Sequence, residues 1–190
     1  SSDLPGLLDA TFERYWQESE QRRLGQREWK DYTPYELRSV GALVRLGQPE
    51  RALSMLDFFH ADQRPAGWRQ WAEVVMRDPR QVNFLGDMPH AWVASDAIRS
   101  LLDIFVHDVD DGGALVIAAG VPEAWLREGV GVRRMPTPHG PLGYRLKQTP
   151  QGLQVKIDAG LKLPPGGLRL RWHGREHRFD KLPVDTVLKD

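Results

Sequence analysis

The residues best suited to chemistry lie in one segment, residues 67–99, where carboxylates, a histidine and indole rings alternate with backbone-breaking residues. Its six notable side chains are Trp68, Trp71, Glu73, Asp87, His90 and Trp92. Two prolines and two glycines interrupt the segment, and such breaks build loops, where binding and catalytic residues concentrate. Flat apolar rings beside hydrogen-bonding acids suit the binding and processing of a sugar. A well-packed corner of a helical domain is the alternative interpretation.

Glu73 is the candidate catalytic residue, acting as a general base that deprotonates water. Its sequence neighbours Arg69 and Arg77 leave an ordinary alternative open, in which the carboxylate forms i,i+4 ion pairs along a helix. The other two polar residues are also open to two interpretations. Asp87 suits a helix cap, and His90 suits the first turn of that helix, where a neutral imidazole can bond to a loop or to a sugar hydroxyl.

Composition excludes several classes of function. The 190 residues carry 26 Lys+Arg against 26 Asp+Glu, so no global field favours nucleic acid or an anionic membrane. No apolar run approaches the ~20 residues of a membrane span, and the absence of cysteine excludes thiol chemistry. We expect no cofactor and no metal, because no phosphate-binding glycine motif occurs and the ligand-like spacing of His173 and His177 falls in a charged turn.

Periodicity predicts helices in the first part of the chain and strands in the second. Thr33 and Glu36 match a capping box, and Gly47 is typical of the residue that ends a helix. The expected helices cover residues 3–23, 33–46, 49–60, a short turn at 68–75, and 87–107. Short β-type runs follow near residues 114–120, 129–135, 143–149, 153–159 and 168–174, with a hairpin turn at 149–152 and another turn at 164–167. The fold class is therefore α+β, with helical hairpins in residues 1–111 and a C-terminal antiparallel β-domain in residues 112–190.

Four short motifs carry a resemblance to a known family. They are Trp68–Glu73 (W-x-Q-W-x-E), Gly86–Val93 (G-D-M-P-H-x-W-V), Ala119–Leu126 (A-G-V-P-x-x-W-L) and Thr137–Leu142 (T-P-x-G-x-L). Together they resemble the closing part of bacterial six-hairpin glycosidases of the glucoamylase-like clan. The resemblance extends over nearly the whole chain. It implies that the helical hairpins form part of an (α/α)6 toroid, followed by a small β-sandwich-like domain, in a periplasmic or secreted protein.

The resemblance also implies roles for the site residues. The base of glucoamylase-like barrels is a glutamate in the last hairpins, and Glu73 occupies the equivalent place in order. Trp68, Trp71 and Trp92 would then line a sugar site, with Asp87 and His90 shaping its loop. The general acid of the family comes from an earlier hairpin, so we expect this chain to be catalytically incomplete alone.

The expected partners follow from that incompleteness. We expect a carbohydrate ligand, and an N-terminal remainder of the same protein or another chain that covers an open apolar face containing Leu37, Val40 and Val44. The chain begins at Ser1, without the features of a signal peptide, so we expect a mature form or a piece of a longer protein. Two alternatives to an inverting hydrolase stay open: a non-catalytic carbohydrate-binding or scaffold protein, and a phosphorylase-like protein with Arg69 and Arg77 near a phosphate.

Overall fold

A computed structural model describes residues 4–28, 31–32, 34–76, 78, 86–109 and 113–189. The chain forms two compact units, Ser1–Ser100 and Leu101–Asp190. The predicted boundary at residues 111 and 112 lies outside the described residues. The α+β class is confirmed, since helices dominate the first unit and strands the second. Among the described residues, no helix is both long enough and apolar enough to cross a membrane.

The first unit is mainly helical. Its elements are α1 (Leu4–Arg23), β1 (Asp31–Tyr32), a 3-10 turn (Pro34–Leu37), α2 (Arg38–Arg45), α3 (Pro49–Ala61), β2 (Val75–Met76) and the greater part of α4 (Ala91–Phe105). The predicted end of the first helix is confirmed: α1 stops at Arg23, and Gly25 follows with a φ of 73°. Gly47 likewise ends α2, with a φ of 74° and its amide bonded to the carbonyl of Val44. A residue with a side chain is strained at such φ values, which is why glycine stands at both exits.

The apolar face of α2 is buried within its own unit. Leu37, Val40 and Val44 are at most 2% exposed, and α3 contributes Met55 and Phe59 to the same core. The expectation that this face stays open for a partner is therefore wrong. The packing of α2 and α3 within the first unit already excludes these side chains from water.

Glu36, the second residue of the predicted capping box, bonds to side chains of α1. Thr33, the cap residue, lies outside the described residues. The carboxylate of Glu36 accepts two hydrogen bonds from the guanidinium of Arg22, at 2.8 and 2.7 Å, and one from the hydroxyl of Tyr15 at 2.6 Å. Because these donors lie on α1, Glu36 links α1 to the 3-10 turn that precedes α2.

The short helix predicted for residues 68–75 is wrong. The segment is irregular up to β2, and β2 pairs with β1 in an antiparallel ladder. Arg69 has a φ of 52°, which is incompatible with a helix. The ordinary explanation for Glu73, ion pairs one helical turn away, is thus wrong for Arg69, and Arg77 lies outside the described residues.

The cap assigned to Asp87 is also wrong. The first helical bond of α4 runs from the amide of Ala94 to the carbonyl of His90, so the helix begins after His90. Asp87 lies three residues earlier, in the preceding loop. At its other end α4 stops at Phe105, and His107 belongs to the next strand.

In the part of the second unit that the structure describes, the end of α4 is followed by two four-stranded sheets and one short helix. Its elements are β3 (Val106–Val109), β4 (Ala114–Ile117), α5 (Glu123–Glu128), β5 (Val130–Thr137), β6 (Gly140–Thr149), β7 (Gly152–Ile157), β8 (Leu168–Trp172), β9 (Arg175–Phe179) and β10 (Val184–Leu188). The strand orders are β10-β7-β6-β5 and β3-β4-β8-β9. The predicted turn at 149–152 is confirmed as the β6–β7 hairpin, and that at 164–167 contains a bond from the Gly167 amide to the Pro164 carbonyl.

One strand pair departs from the antiparallel prediction. β4 and β8 run parallel, with Leu115 opposite Leu168 and Ile117 opposite Leu170. Parallel neighbours need a long connection, and here the chain forms α5 and three strands of the other sheet before it returns. The remaining pairs in both sheets are antiparallel.

Buried and exposed residues alternate along the strands, and the buried ones form the core of this unit. In β7, Leu153, Val155 and Ile157 are buried, whereas Lys156 is exposed, as predicted. One hydrophobic cluster contains residues of both sheets, among them Leu115, Leu168, Leu146 and Val155. Tyr144 on β6 lies in this cluster, and its hydroxyl donates a 2.9 Å hydrogen bond to the carbonyl of Phe105.

The buried phenol predicts a loss of stability in alkali. Burial raises the pKa of Tyr144 above its ordinary value of 10.0, so the folded chain keeps a proton that the unfolded chain releases. This contribution is fully present below about pH 10 and is lost as the pH rises, by about 1.4 kcal/mol per pH unit. We expect Tyr144→Phe to show a shallower alkaline loss in urea denaturation, after a cost of about 1 kcal/mol at neutral pH.

If the free energy of unfolding fell equally steeply with pH in the variant and the parent above about pH 10, the buried phenol of Tyr144 would not be the cause of the alkaline loss. The cost at neutral pH stays small because the Phe105 carbonyl also accepts the amide of Ala118, at 2.8 Å. The carbonyl therefore keeps a partner after the hydroxyl is removed.

Candidate functional site

The candidate site is built where two irregular segments of the first unit lie side by side. The amide of Glu73 donates to the carbonyl of Asp87 at 2.9 Å, and the amide of His90 donates to the carbonyl of Trp71 at 2.7 Å. These two bonds fix the backbone on either side of the predicted base. They also explain why residues 71–73 do not form a helix, since their polar groups bond to the second segment and not along their own turn.

Three predicted site residues converge at this junction. A side-chain ligand atom from each of Glu73, Asp87 and His90 lies within 4.8 Å of the other two. Glu73 and His90 are half-buried, and Asp87 is exposed. The cluster therefore opens to solvent on the side of Asp87.

Tyr35 is a member of the cluster that the sequence analysis missed. Its hydroxyl lies 2.8 Å from Nε2 of His90 and 3.4 Å from Oε1 of Glu73, so one phenol connects the imidazole to the carboxylate. Burial raises the pKa of Tyr35, and the nearby Glu73 carboxylate raises it further. The phenol is therefore kept as a neutral donor. In the sequence, Tyr35 stands inside the capping pattern of residues 33–36, which gives no sign of its contacts with Glu73 and His90.

Glycine at position 86 permits the close approach of the two segments. A Cβ built on Gly86 overlaps the Cβ and Oε2 atoms of Glu73. The backbone of the second segment thus lies directly against the Glu73 side chain. Any larger residue at this position must displace either the carboxylate or the loop.

The three tryptophans occupy different places. Trp92, 64% exposed, presents an edge to Tyr35 with ring centroids 6.1 Å apart, and so belongs to the cluster. Trp71 packs against His60, with ring centroids 5.5 Å apart, and its backbone carbonyl accepts the hydrogen bond from the amide of His90. Trp68 is 62% exposed in the loop before the site, where its amide bonds to the carbonyl of Pro65.

A cation and a further carboxylate lie beside the cluster. The guanidinium of Arg38 stands 5.2 Å from the centre of the Tyr35 ring and forms a 2.9 Å ion pair with Asp96. Arg38 therefore packs on the ring of Tyr35, while the hydroxyl of Tyr35 contacts Glu73 and His90. The other histidines considered for metal binding, His173 and His177, both contact the ring of Trp172 at the β8–β9 hairpin.

No family model matches this chain, and no curated protein or solved structure shows significant similarity to it. Inference about function therefore depends on the site itself. Its chemistry is that of a carboxylate and an imidazole joined by a neutral phenol, open to solvent beside an exposed indole.

Substitution of Gly86 tests how tightly the two segments must meet. We expect Gly86→Ala to reduce the free energy of unfolding by about 1–3 kcal/mol, because the added methyl group overlaps Glu73. Urea denaturation followed by tryptophan fluorescence measures the change.

Gly25→Ala is a comparison variant that has backbone strain without steric overlap, whereas Gly86→Ala has overlap without a positive φ. A Cβ at Gly25 meets no atom within 4 Å, so only the φ of +73° opposes the change. If Gly86→Ala were as stable as the wild type, the Glu73 side chain would move aside freely. The close approach of Gly86 to Glu73 would then not contribute to stability.

Proposed function

We propose that this chain is the C-terminal part of a bacterial six-hairpin glycosidase-like protein that hydrolyses an oligo- or polysaccharide. The observation that carries the proposal is the convergence of Glu73, Asp87 and His90 within 4.8 Å. All three belong to the segment 67–99, whose motifs carry the family resemblance. Their convergence supports a common role in one site.

Glu73 is the general base of the proposed reaction. It is half-buried, and the Tyr35 hydroxyl lies 3.4 Å from its Oε1 atom. A hydrogen bond from a neutral phenol orients one carboxylate oxygen and leaves the other to take a proton from water. His90 orients the phenol in turn through its 2.8 Å contact.

Asp87 is unsuited to be the acid that completes an inverting mechanism. Inverting hydrolases place their two carboxyl groups ~6.5–9.5 Å apart to admit water and sugar. The ligand oxygens of Glu73 and Asp87 are within 4.8 Å of each other. The general acid must therefore come from an additional hairpin, in an N-terminal remainder of the protein or in another chain. In that reaction Asp87 has the role of a sugar-hydroxyl acceptor.

The exposed indoles supply the sugar platform. Trp92 lies directly beside Tyr35, and Trp68 presents its ring to solvent ahead of the site. Aromatic side chains offer a broad apolar surface at small conformational cost, which suits the flat face of a pyranose ring.

The proposed architecture extends beyond the described units. The helices are a segment of an (α/α)6 toroid, and the two sheets form a β-sandwich-like domain. One feature of α4 supports an additional helical layer: Ile98, Leu101 and Leu102 are exposed at i, i+3 and i+4 spacing, which places them on one stripe. Apolar stripes of this kind are normally covered by a neighbouring helix.

The decisive test of the base is Glu73→Gln in the assembled protein, with the preceding hairpins present. Turnover should fall by about 10²–10⁴-fold with little change in substrate binding, since the amide keeps the shape but cannot accept the proton. Steady-state kinetics on bacterial and plant oligosaccharides, with a parallel binding assay, separates the two quantities.

The matched control is Glu123→Gln, which removes an exposed carboxylate on α5 in the other unit. It should leave turnover unchanged. Full activity of Glu73→Gln would exclude Glu73 as the base.

A non-catalytic carbohydrate-binding protein is the second candidate function. Two observations favour it: the pair Glu73 and Asp87 lacks the spacing of an inverting site, and Trp92 is exposed where a sugar can reach it. In this case the assembled protein binds oligosaccharide without turnover, and Glu73→Gln changes neither property greatly.

Both candidates predict that Trp92 contributes to binding. Trp92→Ala should weaken oligosaccharide binding about tenfold, equivalent to about 1.4 kcal/mol, in a fluorescence or calorimetric titration. Trp125→Ala is the control, because Trp125 is a partly exposed indole that stacks on Phe105 in the second unit. Equal effects of the two substitutions would show that the loss is unrelated to this site.

A further inference from the structure

The site residues form a ligand set for a metal ion as well as a site for proton transfer. Glu73 and Asp87 each offer a carboxylate oxygen, and His90 offers a ring nitrogen, all within 4.8 Å of one another. Carboxylates alone suit calcium or magnesium, whereas an imidazole beside two carboxylates suits zinc and manganese. Small side-chain rotations bring ligands at this separation to the ~3–3.5 Å spacing of atoms that share one ion.

The three ligands are attached to a fixed backbone. Glu73 and Asp87 are joined through a backbone hydrogen bond of 2.9 Å, and the amide of His90 is held by Trp71 at 2.7 Å. Gly86 lies directly against the Glu73 side chain, since even a methyl group there would overlap it. The backbone positions of the three ligands are thus set before an ion arrives, and side-chain rotation supplies the remaining adjustment.

Tyr35 has the position of an outer-shell partner. When a metal takes one nitrogen of a histidine, the other normally bonds to an oxygen that fixes the ring. The Tyr35 hydroxyl lies 2.8 Å from Nε2 of His90 and also reaches Glu73, at 3.4 Å. One phenol therefore orients two of the three ligands.

Electrostatics favours a cation at the same point. Two ionised carboxylates within 4.8 Å repel each other, and a divalent ion between them reverses the sign of that energy. The nearby guanidinium of Arg38 is paired with Asp96, at 2.9 Å.

We propose that Glu73, Asp87 and His90 bind a divalent cation of the zinc–manganese class, with water or a sugar hydroxyl completing the coordination. This inference does not require the hydrolysis proposed above. A carboxylate that ligates a cation is not free to deprotonate water, so cation binding excludes Glu73 from the base role while the ion is bound. The calorimetric test below uses no saccharide and the kinetic test above measures turnover, so failure of one proposal is distinguishable from failure of the other.

The test uses the 190-residue chain without saccharide. Calorimetric titration with zinc chloride and with manganese chloride should show saturable binding of a single equivalent by at least one ion, reversed by EDTA. The same ion should raise the melting temperature of the chain. Calcium and magnesium should bind at least tenfold more weakly.

Substitutions assign the binding to these residues. Glu73→Gln, Asp87→Asn and His90→Ala should each weaken binding tenfold or more. Asp87→Asn is the most informative, because Asp87 is exposed and its replacement leaves the fold intact, as circular dichroism will verify. His173→Ala and Glu123→Gln are matched controls, since they alter another histidine–carboxylate pair, 3.7 Å apart on the second unit, and should change nothing.

Two results would overturn the proposal. One is the absence of saturable binding of zinc and manganese up to millimolar concentration. The other is binding that survives Asp87→Asn in the folded chain or that is lost equally in the control variants.

Discussion

Two backbone hydrogen bonds, from Glu73 to Asp87 and from His90 to Trp71, hold together the part of the first unit on which everything else in the site depends. They join segments that have no regular structure of their own at this point. Because the bonds use main-chain groups, the side chains of Glu73, Asp87 and His90 remain available. The backbone supplies the rigidity, and the side chains are left for chemistry.

Residue types and spacing selected Glu73, Asp87 and His90, and the structure places their ligand atoms within 4.8 Å of one another, while their functional role stays a prediction. The local structure predicted for them, a helix at 68–75 and a cap at Asp87, is wrong. Both errors have one cause: local patterns describe bonds within a segment, and here the polar groups bond between segments. Tyr35 was missed for the same reason, since its contacts lie 38 and 55 residues away along the chain.

In the second unit, the central strands were predictable and three edge strands were not. β3, β9 and β10 each lie at the edge of a sheet. An edge strand needs one neighbour and need not be apolar on both faces, so the charged pattern of Arg175–Phe179 carries little strand signal. The parallel pairing of β4 and β8 was also not predictable from the sequence. The relative direction of two strands depends on how the chain connects them and not on the alternation of residues along either strand.

The ion pair between Arg22 and Glu36 gives the first helix an indirect part in the site. Glu36 is the immediate neighbour of Tyr35, and its carboxylate is anchored to α1 by Arg22 and Tyr15. The backbone that carries Tyr35 is therefore tied to α1 through its next residue. Loosening the Arg22–Glu36 ion pair would thus disturb the phenol without any change in the residues that contact it.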